Sequence, residues 1–211
     1  MIGLRRSLPC FILSATSAMT VPAPANSAAL AGSAIGAMFY SLFGGAWVAA
    51  WCVQRYGAQP LRLLPVAAIA AFLCMLAWRQ FRRHRAAHAA QAGTPQDKRN
   101  SRWFNLINAG QWISIFIVGN VLKNLGLQAW FIPAIILIVG LHFFPLAWVF
   151  KARRHVAIGM ALTVWAIGYP LSVRLGPLDP IGCLGAGLIL WVAALSAVRS
   201  GFALQHSPVR S

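Results

Sequence analysis

An all-α bundle of six transmembrane helices, with N and C termini both cytoplasmic, is the fold predicted by three features of this chain. It is 59% apolar and only 9% charged, against roughly 45–50% and about 25% in a soluble domain. The apolar residues fall into six runs, each close to the ~20 residues that cross ~30 Å of hydrocarbon at 1.5 Å per residue. The eighteen Lys and Arg residues sit in the gaps between those runs, and the gaps alternate between rich and poor.

Residues 1–28 form an N-terminal tail. They imitate a signal peptide, with Arg5 and Arg6, a modest apolar stretch over 8–21, then Ala23-Pro24-Ala25. Cleavage there would turn the most basic loop outward, so the expectation is an uncleaved tail or a start at Met19. The six spans follow at 29–53, 63–78, 103–122, 127–150, 156–173 and 181–198. Together they make a transmembrane domain over 29–198, with a cytoplasmic tail over 199–211. Trp51, Trp78, Trp103, Trp130 and Trp148 fall at or near span ends, as an interfacial aromatic belt requires.

With the N-terminus inside, fourteen basic residues lie on the cytoplasmic side. They are Arg5, Arg6, Arg79, Arg82, Arg83, Arg85, Lys98, Arg99, Arg102, Lys151, Arg153, Arg154, Arg199 and Arg210. Four lie outside, namely Arg55, Arg62, Lys123 and Arg174. That is the positive-inside bias. Half of the cytoplasmic charges belong to one basic loop, 79–102. Residues 79–91 are rich in Arg, Ala and Gln, so the second span should continue as a helix into the cytosol until Gly93-Thr94-Pro95 stops it.

The formal charge of +16 flanks spans rather than striping a folded surface, so the expected partner is a bilayer with anionic headgroups and not nucleic acid. Cys10, Cys52, Cys74 and Cys183 have no CxxC and no common spacing, which excludes a disulfide framework or a zinc site of ordinary pattern. His84 and His88 stand at i, i+4 without a carboxylate or Cys, and read as surface histidines; no metal and no cofactor is expected.

The third span is the most polar. Asn105, Asn108, Asn120 and Lys123 lie within about 60° of one direction at 100° per residue, with Trp112, Phe116 and Gly119 between them and Gln111 and Asn124 nearby. An unpaired amide in hydrocarbon costs several kcal/mol, so this stripe should face other helices or a wet cavity. In the fourth span His142 lies about 12 Å inside the cytoplasmic end, at a level that Asn108 can share in an antiparallel pair. It is a functional candidate or a neutral imidazole hydrogen-bonded to that Asn. Pro145 lacks an N–H, so the Leu141 carbonyl loses its helical partner and a helix kink is expected. The first span carries small residues for helix packing: Gly32 and Gly36 as a GxxxG, and Ser33, Ala37, Ser41 and Gly45 at four-residue spacing. Gly182 and Ala186 offer a second small face in the sixth.

The absences exclude more than the motifs include. There is no Glu, and the only carboxylates are Asp97 and Asp179. Intramembrane acidic relays, paired-carboxylate catalysis and carboxylate-bound divalent metals therefore have no residues to use. No catalytic fingerprint is present, and the chain is not read as an enzyme. Asp179, in Gly176-Pro177-Leu178-Asp179-Pro180, reads as a turn residue.

The stretch from Asn105 to Phe150, above all Gly140-Leu141-His142-Phe143-Phe144-Pro145-Leu146-Ala147, resembles a group of small bacterial integral membrane proteins to which no activity is assigned. The resemblance implies a bacterial plasma (inner) membrane location and nothing about activity; the Ala- and Arg-rich, Lys-poor composition suits a GC-rich genome. Two functional classes follow from the residues. The leading one is a small-solute permease or channel-like protein lined by the third span and His142. The alternative is a non-transporting scaffold or regulatory subunit that packs against a homo-oligomer copy or a membrane partner. A polar stripe meeting a continuous cavity would mark the first, and a tight, satisfied bundle the second.

Overall fold

The computed structural model describes residues 24–205, with side chains described for 27–200. The signal-like stretch over 8–21 lies outside the described residues, as does the end of the C-terminal tail. The described residues form six α-helices and no strand: α1 (Pro24–Tyr56), α2 (Pro60–Gln91), α3 (Pro95–Asn124), α4 (Phe131–Phe150), α5 (Arg153–Ser172) and α6 (Ile181–Gln205). Short 3-10 turns, Gln128–Trp130 and Gly176–Leu178, lead into α4 and α6. All six helices are long and apolar enough to cross a membrane, which makes the chain, by length and composition, a multi-pass membrane protein.

Local chemistry sets the helix ends. Pro opens α1, α2 and α3, where its missing N–H costs nothing and its fixed φ suits the first turn. Between α2 and α3 the chain reverses over three residues. Gly93 takes φ +78°, Thr94 Oγ1 accepts from the Asp97 N–H at 3.2 Å, and Asp97 Oδ2 accepts from the Gly93 N–H at 3.0 Å. Asp97 thus serves as a cap. Asp179 does the same for α6, its Oδ1 accepting from the Ile181 N–H at 3.0 Å. Lys151 in the left-handed region closes α4. At 32 residues α2 is about 48 Å long, so its Arg-rich last third projects some 20 Å past Trp78. Residues 127–130 do not join the fourth helix. Gly126 at φ +70° breaks the chain after α3, and the 3-10 turn re-aims it before α4 begins at Phe131.

The helices sort into two groups of three. α1 packs on α2 and α6, while α4 packs on α3 and α5; α5 against α6 joins the groups. The main core runs across that junction through Tyr40, Ile136, Phe143, Leu146, Ile158, Leu162, Tyr169, Ala186 and Leu190. Ala37, Ala77, Ala197 and Val198 pack α1 against α2 and α6. Although consecutive, α2 and α3 do not pack along their length.

Small residues bring the helices together, but not the pair expected. A Cβ on Gly32 would meet nothing within 4 Å, and one on Gly36 only Tyr40 of the same helix. That GxxxG is therefore no close contact within this bundle. The close approaches are Gly44 against Gly187, where a Cβ on Gly187 would lie 2.8 Å from the Gly44 carbonyl oxygen, and Gly140 against Gly159 between α4 and α5. Gly45 meets Ala70 on α2, and Gly182 meets Tyr169. Ser33, Ala37 and Ser41 are buried. Ser41 Oγ donates to the Ala37 carbonyl at 2.7 Å, and the Ser41 carbonyl accepts from Trp191 Nε1 at 3.1 Å, tying α1 to α6.

Candidate functional site

α3 is the helix on which the polar residues concentrate, and none of its thirty residues is buried. Among the described residues it packs mainly on α4 and the adjoining 3-10 turn. The side facing α4 is marked by half-buried Phe104, Ile107, Asn108, Gln111, Ile115, Val118, Gly119 and Leu122. Their 3–4 spacing is that of one helical stripe. Trp103 meets Trp148 edge-on at 6.3 Å and Phe104 meets Phe150 at 6.1 Å, which seats the Arg-rich end of the seam. At the other end Gly119 sits against the Phe131 ring.

That last contact fixes the register of the antiparallel pair. Eleven residues, about three turns, back along α3 and on along α4 bring Asn108 opposite His142. The level expected from sequence is met, but the bond is not. His142 Nδ1 lies 3.2 Å from the Val139 carbonyl of its own helix, which accepts from it in the tautomer with the proton on Nδ1. His142 Nε2 is buried with no partner. Asn108 and Gln111, half-buried at neighbouring levels, make no hydrogen bond among the described residues. The imidazole is held along α4, which leaves an acceptor and two amides close in level yet unjoined across the seam.

The expected burial of the rest of the stripe is not found. Asn105, Asn120 and Lys123 are exposed, because α4 covers only one side of α3 and, among the described residues, no other helix packs extensively on it. Asn120 turns back to donate to the Phe116 carbonyl at 2.7 Å. Trp112 and Phe116, between the amides, are 61% and 73% exposed. An open groove of about 440 Å³ runs beside them, lined by Gly119, Asn120, Lys123 and Phe131 among others. Another open groove, of about 520 Å³, follows the apolar face of α5 over Val164, Trp165 and Gly168. Both lie on the surface of the bundle. Pro145 stays within α4, which runs on to Phe150.

A second polar cluster went unrecognised in the sequence. At the Arg-rich end Arg154 Nη1 donates to Ser33 Oγ, pinning α5 to α1. His155 is buried and stacks on Phe143 and Phe150, each at 6.1 Å between ring centroids. The basic run Lys151-Ala152-Arg153-Arg154-His155 gives no local sign of which side chain turns inward. Buried Gln80 on α2 is likewise unpaired. No group of three metal-ligating side chains is assembled among the described residues. No protein-family model, curated protein or solved structure matches the chain.

Proposed function

We propose that this protein is a membrane-embedded assembly component, a scaffold or regulatory subunit that works by presenting α3 to a partner. One observation carries the reading: α3 buries no residue in its own bundle, although it is the span richest in amides. A lipid-facing helix should be apolar, since acyl chains satisfy no amide. Here the apolar helices make the bundle and the polar one is left on its rim.

A permease with its route inside this chain has less support. Among the described residues, the groove beside the polar stripe and the groove along α5 both open to the surface of the bundle. The Arg-rich end, with α2 projecting some 20 Å, belongs to the cytoplasmic side by the positive-inside bias and adds attraction to anionic headgroups.

The test is lipid access in native membranes. A lipid-borne carbene is photoactivated, and labelling is compared between the tryptic peptides 103–123, covering α3, and 155–174, covering α5. The assembly reading expects α3 to be shielded and labelled several-fold less than α5, although it is the more open helix in the isolated chain. Equal or greater labelling of α3 would overturn it.

A further inference from the structure

We infer that the opening between α2 and α3 at the Arg-rich end is a binding site for an anionic phospholipid, its phosphate held between the two basic legs and its acyl chains laid on α1. The site is independent of the assembly reading, since of α3 it uses only the leg before Trp103.

The opening follows from the way α1 is covered. At 100° per residue, Tyr40 sets the direction of α4 through Phe143, Gly44 points about 40° from it toward α6, and Gly45 about 140° from it toward Ala70 of α2. Phe43, Phe39 and Leu42 fall on the other side of Tyr40, at about 60°, 100° and 160°. All three are about half exposed. α3 would have to close that arc, yet it does not pack along α2. In a bilayer such a gap fills with acyl chains, and the stacked Phe39 and Phe43 rings give them a floor.

Depth selects the headgroup. Arg79, Arg82, Arg83 and Arg85 lie within about 10 Å of Trp78 along α2, and Lys98, Arg99 and Arg102 within about 8 Å of Trp103 along α3. With both indoles at the interface, these basic residues stand in the headgroup layer. The tip between them, 86–97, has no Lys or Arg and carries Asp97. A soluble acidic partner would meet that tip, whereas a lipid phosphate meets the charge. The contact of Gly45 with Ala70 sets Gly32 level with Arg83 in the antiparallel pair. Gly32 lies on the open arc, and a Cβ there would meet nothing within 4 Å, so a headgroup has room on α1 as well. Buried Ser33 beside it accepts from Arg154, which holds a further guanidinium at this level.

Native mass spectrometry of the full chain, released from detergent with phosphatidylglycerol or phosphatidylcholine added at equal concentration, tests the site. Phosphatidylglycerol should be retained several-fold over phosphatidylcholine, and inorganic phosphate should not displace it. The double variant Arg82→Gln/Arg102→Gln should weaken retention about tenfold or more, given the attraction of each basic residue near the surface. Arg153→Gln/Arg199→Gln removes the same charge from the same end, on helices that do not border the opening, and should leave retention unchanged. Gly32→Phe adds a ring without changing charge and should weaken retention while Tm stays within a few degrees of the parent. Equal loss from the two double variants, or no preference for the anionic lipid, would overturn the site and leave only diffuse surface attraction. Displacement by inorganic phosphate would overturn the lipid as occupant, and a dimer retaining no lipid would give the opening to a second copy. Retention untouched by a folded Gly32→Phe would overturn the seat on α1; if that variant unfolds, the two double variants decide alone.

Discussion

Replacing Gly140 by alanine should destabilise the bundle, while the same change at Gly32 should not. A Cβ at Gly140 would stand 2.7 Å from Thr163 Oγ1, 2.9 Å from the Thr163 backbone nitrogen and 3.1 Å from the Gly159 carbonyl oxygen. Ordinary non-bonded separations are about 3.5–4.0 Å, so α4 and α5 must part by something near 1 Å. Two of the three obstructing atoms are backbone, which no rotamer change can move. Overpacking of this kind costs about 1–3 kcal/mol, and the backbone obstruction puts Gly140 at the upper end. Against it stands a helix-propensity gain of about 1 kcal/mol. The net loss is about 2 kcal/mol, or a fall in Tm of roughly 4–8 °C for a chain of this size. Gly32→Ala keeps the propensity gain and meets no atom within 4 Å, so its Tm should hold or rise by about 1–3 °C. Both are read by intrinsic tryptophan fluorescence on heating in one detergent. Gly140→Ala melting at or above the parent would refute the packing argument. A drop of several degrees for Gly32→Ala would show that the GxxxG face is occupied after all.

Two further outcomes are expected. Reporter fusions active only outside the cytoplasm should be silent after Gly93 and after Ser211 and active after Gly57, since the basic residues gather at one end of the bundle; activity after Gly93 would invert the topology. His142→Leu should change Tm by no more than a few degrees in either direction, because the change deletes an unpartnered buried nitrogen and only a contact within the same helix; a large fall would show that Nε2 is hydrogen-bonded in the membrane, with Asn108 as the first candidate.

The six spans, the stop at Gly93-Thr94-Pro95 and the extension of α2 were legible in the sequence because they depend on local chemistry, whereas the start of the fourth helix at Phe131 was not. Apolar length sets a crossing, and Pro95, Thr94 and Gly93 set a cap and a stop whatever lies around them. The level shared by Asn108 and His142 was also legible, since the rise per residue and an antiparallel turn are enough to compute it. Which side of each helix meets protein was not. Inside a membrane both lipid and protein are apolar, so hydrophobic periodicity cannot separate them. Gly32 and Gly36 look like a packing face as much as Gly44 and Gly140 do, and only the placement of Gly187 and Gly159 separates them. The amides of α3 were expected inward because hydrocarbon penalises them. The tertiary arrangement left their flank uncovered, with α4 on one side and α2 packed elsewhere. The penalty itself is a property of the residues and can be read from the chain. Whether it is relieved within one chain or between two depends on contacts that a single sequence does not encode locally.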